Sequence, residues 1–262
     1  MRWPSLSPLF LLFLATVLFL LTSPGCTRSP TPESPDVVAA RLVALMSAPD
    51  PDARRTTALS LAKIAVPEAV DSLITGLADA DPLVREYSAW GLGNVEPQVV
   101  SRARPRLASL LRDPVPSVAH AAAIALGRLG PDRDSIATLG EILRHGTPQE
   151  KQAVLLAFGE MEAAEAFPNL VETLRDHDPK VRHAAVAALG ELGDRRAISV
   201  LAERLREDDD AGVRSEAAYR LGKLGDETTV RMLQAATQDA NPSVQRWVHW
   251  AIAELTKPAE PR

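Results

Sequence analysis

The sequence is poor in several of the usual raw materials of a protein site. It has 262 residues and one cysteine, so no disulfide can form within the chain. Aromatic residues make up only 4%, so large rings cannot dominate a core. Alanine and leucine dominate instead, small and straight-chain helix formers that let helices pack closely. Basic charge is not in excess: 29 Lys and Arg stand against 34 Asp and Glu, a formal net charge of −5. That argues against a dedicated nucleic-acid binder, which needs a basic footprint to neutralise phosphates. No segment alternates with period two for long enough to form a strand. What is present is 46% hydrophobic and 24% charged residues, a folded rather than a disordered balance.

The first residues do not read as fold. Arg2 precedes an apolar run from Leu9 to Leu21, interrupted only by Thr16. The run is short of the ~20 residues of a transmembrane helix and suits the core of a signal peptide. Thr22-Ser23-Pro24-Gly25-Cys26 follows, with a small residue directly before the lone cysteine. This resembles the lipobox of bacterial lipoproteins, although Ser23 stands where leucine is usual. The resemblance implies that Cys26 is lipidated and becomes the mature N-terminus, which places the protein in the bacterial cell envelope. Thr27 as second mature residue implies the outer membrane by the same resemblance, where one exists. Thr27–Pro35 (TRSPTPESP) is a Pro/Ser tether unable to build a core. The expected organisation is a signal peptide over 1–25, a lipidated tether over 26–35, a folded domain over 36–257 and a short disordered tail over 258–262.

The folded part repeats. A Pro-x-Val-Arg step recurs, most fully at Pro82–Arg85 and Pro179–Arg182, with its last residue at 54, 85, 119, 151, 182, 214 and 245. The intervals are 31, 34, 32, 31, 32 and 31 residues. Positions below are counted from these anchors. Each step opens a helix: proline suits the first turn, where its missing N–H is not needed, and Asp50, Asp81, Thr147 or Asp178 precedes it as cap. At +7 comes a large apolar residue and at +8 a small one, as in Leu92-Gly93, Phe158-Gly159 and Leu189-Gly190. Glycine within a helix costs up to ~1 kcal/mol relative to alanine, so its recurrence at one register predicts close approach of a neighbouring helix. Gly130, Gly193 and Gly225 are expected to end helices. A second amphipathic helix precedes each anchor, for example Ile136–Leu143 and Ile198–Leu205. A single helix pair cannot bury its own stripe, so neighbouring pairs must stack.

The pattern V-R-x-A-A-x-A-A-L-G-x-L-G, complete at Val181–Gly193, resembles the HEAT-like repeat of the phycobilisome-lyase type. It implies an all-α, right-handed α-solenoid of about seven two-helix units. Three functional classes come with the resemblance: protein-binding scaffolds, phycobilin lyases and deoxyhypusine hydroxylases. The hydroxylases are expected to carry His-Glu pairs, and none of His120, His145, His177, His183 or His249 is followed by Glu. No residue here can be named for lyase chemistry. The expectation is a scaffold with no catalytic residue, no cofactor and no metal ligand. Asp176-His177-Asp178 with His183 has no closed-site spacing, and Glu207–Asp210 lacks the alternation and glycine of a calcium loop.

Two sets of residues remain. Arg54, Arg85, Arg182 and Arg214 are expected to be structural anchors that bond turn carboxylates of a neighbouring repeat. Candidate acceptors are Asp50, Asp81, Asp113, Asp178, Asp210 and Asp239. The variable +5 row reads Leu59, Trp90, Ile124, Leu156, Ala187, Tyr219 and Trp250. Helical geometry turns +5 away from the core stripe, yet the row is apolar. Tyr87 and Trp247 at +2 and Arg55 and Arg246 at +1 flank it. One reading is an exposed groove for a protein partner, rich in the residue types that anchor interfaces. The other is that curvature buries +5 against the adjacent repeat.

Overall fold

Proline after a capping side chain opens most anchor helices, as the sequence pattern predicts. The computed structural model describes residues 35–257. The expectations for residues 1–25, Cys26, the tether up to Ser34 and the tail 258–262 lie outside the described residues. Helix α1 spans Pro35–Leu45 and α2 Pro51–Ile64. A 3-10 turn at Pro67–Ala69 leads into α3, Val70–Gly76, followed by α4, Pro82–Leu92. The next companion segment breaks into α5, Pro97–Val100, a 3-10 turn, and α6, Arg104–Leu110. Then come α7, Pro116–Leu129, α8, Arg133–His145, and α9, Pro148–Met161. The remaining helices are α10, Phe167–Thr173, α11, Pro179–Glu191, α12, Ala197–Glu207, α13, Ala211–Leu224, α14, Glu227–Gln234, and α15, Pro242–Leu255. No strand occurs among the described residues.

The seven anchor helices α2, α4, α7, α9, α11, α13 and α15 stack in sequence, each on the next, and each packs against its own companion. The result is an α-solenoid with one continuous core. Position +7 supplies its centre: Leu61, Leu92, Leu126, Phe158, Leu189 and Leu221 are all fully buried. The small +8 residues do mark close approach. A Cβ on Gly93 would lie 2.9 Å from Ala125 Cα, and one on Gly222 would lie 2.8 Å from both Ala251 and Trp250.

Capping follows the sequence. Asp50 and Asp81 accept from two backbone amides each, Asp178 from that of Lys180, and Thr147 forms a reciprocal capping box with Glu150. Gly130 (φ 75°) and Gly193 (φ 69°), both at +11, take left-handed backbone at helix ends. Ala65 and Glu162 occupy the same register in their repeats with φ 50° and 49°. A side chain there costs about 1 kcal/mol. Glu162→Gly should therefore raise the thermal midpoint by roughly 2–4 °C; calorimetry showing no rise or a fall would refute it.

A ladder of arginines ties the repeats together. Arg54 donates to Asp79 at 2.8 and 3.0 Å and to the Ala48 and Pro49 carbonyls. Arg85 binds Asp113, Arg182 binds Asp208 and Arg214 binds Asp239 in the same two-pronged way, each also reaching two carbonyls of its own turn. Lys151 substitutes with one bond to Asp176, 2.7 Å. Each acceptor aspartate also takes a backbone amide two residues on, such as Asp81 N–H to Asp79 at 2.8 Å. Of the acceptors expected from sequence, Asp113 and Asp239 serve. Asp50, Asp81, Asp178 and Asp210 cap helices instead, and the true partners lie two residues upstream of the last three. Asp81 also accepts from Arg55 at 2.9 Å.

The third rung is missing on both sides. Ala119 holds the anchor position, and His145 stands where the other turns place an aspartate. In the seventh repeat Gln245 bonds its own turn, Nε2 to the Asp239 carbonyl at 2.7 Å.

The ladder makes the fold acid-sensitive. Arg54 holds the Asp79 carboxyl below its ordinary value, Arg55 holds Asp81 at about 2, and Arg214 lowers Asp239. At Asp208, burial pushes upward but the bonds from Arg182 and the Asp210 amide outweigh it, leaving a lowered value. Groups depressed in the folded state stabilise it above their unfolded value, and that contribution is lost as pH falls through the folded one. The urea midpoint should be flat near neutrality and drop from about pH 4 towards 2. Asp81→Asn should flatten part of that drop; an unchanged profile would count against the assignment.

Candidate functional site

The stack brings the whole +5 row onto one face of the anchor helices. All seven members, Leu59, Trp90, Ile124, Leu156, Ala187, Tyr219 and Trp250, are half-buried. Neither extreme expected from sequence holds: the row is not sealed between repeats, and it does not stand clear of them. Leu156 and Trp250 pack partly against the core, and Trp250 lies over Gly222.

The flanking residues divide. Tyr87 is half-buried, whereas Trp247 is 39% exposed, among the most exposed large apolar groups described. Arg55 is committed within the chain, paired to Asp81 and to Asp52 at 2.7 Å. Arg246 is exposed and among the described residues bonds Ser243 Oγ at 3.0 Å. Glu86 takes the Ser117 hydroxyl at 2.6 Å, and His183 lies 3.8 Å from Glu216.

Aromatic character is concentrated at one end. Tyr219 stacks on Trp250 with centroids 5.3 Å apart, and Trp247 meets both edge-on at 5.1 and 5.5 Å. Lys223 sits over Trp250 at 5.5 Å and Arg220 over Tyr219 at 5.3 Å. Trp90 lies four repeats before Tyr219 in register, separated by Ile124, Leu156 and Ala187. The mixed apolar and aromatic row read from the sequence is thus grouped into an aromatic cluster, an aliphatic middle and a separate tryptophan.

Sequence reasoning missed several ion-paired arginines. Arg104 donates to the Gly130 carbonyl at 2.6 Å and to Asp132 at 2.8 Å, closing the end of α7. Arg220 bridges Glu216 and Glu191 across a repeat boundary. Both fall outside the repeating register, so no periodicity points to them. Among the described residues no three His, Cys, Asp or Glu side chains are arranged to hold a metal ion. No described helix is long and apolar enough to cross a membrane.

The HEAT repeats family matches residues 70–153, 136–222 and 205–261. The chain belongs to the HEAT-repeat family. These matches cover all the anchor helices from α4 onward. Comparison with curated proteins finds no match. Among solved structures, the phycocyanin lyase complex from Nostoc sp. is similar at 22% identity, covering 89% of this chain and 99% of that one, TM-score 0.49. Human deoxyhypusine hydroxylase in complex with glycerol is similar at 22% identity, with coverages of 95% and 91% and TM-score 0.43. An engineered protein is similar at 22% identity, with coverages of 84% and 68% and TM-score 0.46. Nothing about the activity of this HEAT-repeat chain follows from likeness at that level.

Proposed function

We propose that this protein is a membrane-tethered HEAT-repeat scaffold that holds a protein partner along the +5 row and has no catalytic activity of its own. The observation that supports it is the half-buried row itself, one apolar side chain from each of seven stacked helices. A solenoid core needs no apolar residue at +5, since +3 and +7 are buried in each of the first six repeats, from Thr57 and Leu61 to Ala217 and Leu221. A partly covered apolar row with aromatic and arginine flanks suits protein recognition, where such residues supply most of the binding energy. The lipobox-like segment ending in Cys26 supports presentation of this face from a lipid anchor in the bacterial envelope. The Pro/Ser segment after it supplies reach.

The test uses the full chain in its native membrane. A photo-crosslinking amino acid placed at Leu59, Ile124 or Leu156 should yield one common protein adduct. The same probe on the companion helices, at Ser109 or Glu172, should not. Trp90→Ala with Tyr219→Ala should weaken the adduct while leaving the thermal midpoint nearly unchanged. Matching adducts from both faces would sink the reading, as would stoichiometric iron in the purified protein. Cys26→Ser should release the chain from the membrane fraction; retention there would refute the anchor.

A further inference from the structure

The +5 row has one low point. Ala187 stands in the fifth repeat where every other repeat carries a larger apolar residue. The surface sinks there into a depression of about 220 Å³. Its floor includes Leu156, Gly159, Ala187 and Ala188, and its rim carries Glu160, Glu191 and Arg220.

One repeat further along, the chain fills the equivalent place with its own side chain. Arg220 at +6 lays its methylene stem over Gly190, the +8 glycine of the preceding repeat, so closely that a Cβ on Gly190 would overlap it. Its guanidinium reaches Glu191 at +9 at 2.5 Å and Glu216 at 2.7 Å. The stem is covered and the head is neutralised, the usual division of labour in a long cationic side chain.

In the fifth repeat the +6 position is Ala188, so no long side chain lies across the place, and only the Glu191 stem borders it. Over Gly159, the corresponding +8 glycine, the nearest atoms to a built Cβ are Glu191 Cβ at 3.5 Å and Ala188 Cα at 3.6 Å. Glu160, the +9 counterpart of Glu191, is exposed and has no hydrogen-bond or ion-pair partner among the described residues. Arg220 adds one positive charge to the rim, and Glu191 and Glu216 already balance it. With Glu160 the rim is left with an excess of negative charge.

We infer that this depression is a socket for an arginine side chain of the protein partner, its stem on Gly159 and Ala187 and its guanidinium against Glu160. The inference rests on the +5 row being the partner-binding face. Arg220 over Gly190 is the template. Arginine fits better than an apolar side chain because the floor is apolar and the rim carries an unanswered carboxylate, and charge-assisted bonds to a planar guanidinium are the strong ones.

The probe is N-acetyl-arginine N-methylamide, titrated into the full chain and followed through the alanine methyl resonances. Saturable shifts are expected at Ala184 and Ala187. The citrulline analogue, equal in shape but uncharged, should bind about tenfold more weakly, as should the arginine probe on Glu160→Gln, roughly 1.4 kcal/mol in each case. Ala188→Arg, which supplies the chain's own plug, should abolish binding. Should Ala188→Arg fail to fold, Glu160→Gln decides alone, since that side chain is exposed and unpartnered. Equal response to the arginine and citrulline probes, or an undiminished response in Glu160→Gln, overturns the socket. Crosslinks along the +5 row without any arginine response would sink the socket and leave the scaffold; an arginine response without crosslinks would sink the scaffold and, with it, a protein partner as the source of the arginine.

Discussion

Asp208→Ala should lower the unfolding free energy by about 3–5 kcal/mol, the range for breaking a buried ion pair from one side. The Asp208 side chain is 1% exposed and that of Arg182 is 9% exposed. Asp208 accepts from Arg182 at 2.9 and 2.8 Å and from the Asp210 amide at 3.0 Å. Its removal strips the guanidinium of its buried counter-charge, leaving surface Asp209 and two carbonyls. It also frees a turn amide. Asp208→Asn should cost less, because the amide oxygen keeps part of the geometry without the charge. Asp208→Ala combined with Arg182→Met should recover part of the loss, because the buried guanidinium of Arg182 is then not stranded, while Arg204, 3.7 Å from Asp208, keeps its bond to Glu203. The pair joins the fifth repeat to the turn of the sixth, so in a chain stabilised by neighbour contacts the urea transition should broaden or split there. A loss below about 1 kcal/mol would show the ladder to be ornamental, as many surface pairs are.

Phe158→Ala should cost about 3–5 kcal/mol, the usual range for emptying a buried phenylalanine site. Phe158 is fully buried and heads the largest such side chains described. It sits on α9, which packs on both α7 and α11, so the cavity would open mid-array, where neither end can relax freely. Phe158→Leu restores the residue most repeats carry at +7 and should cost only about 1 kcal/mol. Circular dichroism in urea distinguishes the two. Equal losses would mean that the ring itself, rather than volume, is what the site requires.

Much of this architecture is legible in the chain itself. The anchor spacing, the proline-opened helices, the caps at Asp50, Asp81, Thr147 and Asp178, and the small +8 row are local facts. They depend on φ preferences, on unsatisfied amides and on the 3.6-residue period, all of which act within a few residues. The arginine acceptors are different. In Asp79-Ala80-Asp81 and in Asp176-His177-Asp178 two equivalent carboxylates stand two residues apart, and nothing local says which caps the helix and which meets the preceding repeat. The stacking of neighbouring units settles it: the upstream aspartate faces the previous anchor and the downstream one faces its own helix. The off-register Arg104 and Arg220 were illegible for the same reason, since their partners beyond Glu216 are 25 to 29 residues away and follow no period.

The absences that mark the sequence keep their meaning in the fold. With few aromatics and much alanine, the chain had to form close-packed helix pairs, and with a regular repeat it had to stack them. Local propensity and period are enough to determine that. How far the +5 row is covered was not determined by any window of sequence, because it depends on how one anchor helix crosses the next. The crossing leaves the row half-buried, gathers Tyr219, Trp247 and Trp250 at one end, and sinks the surface at Ala187. Those features arise from contacts between residues roughly one repeat apart, and only tertiary packing brings such residues together.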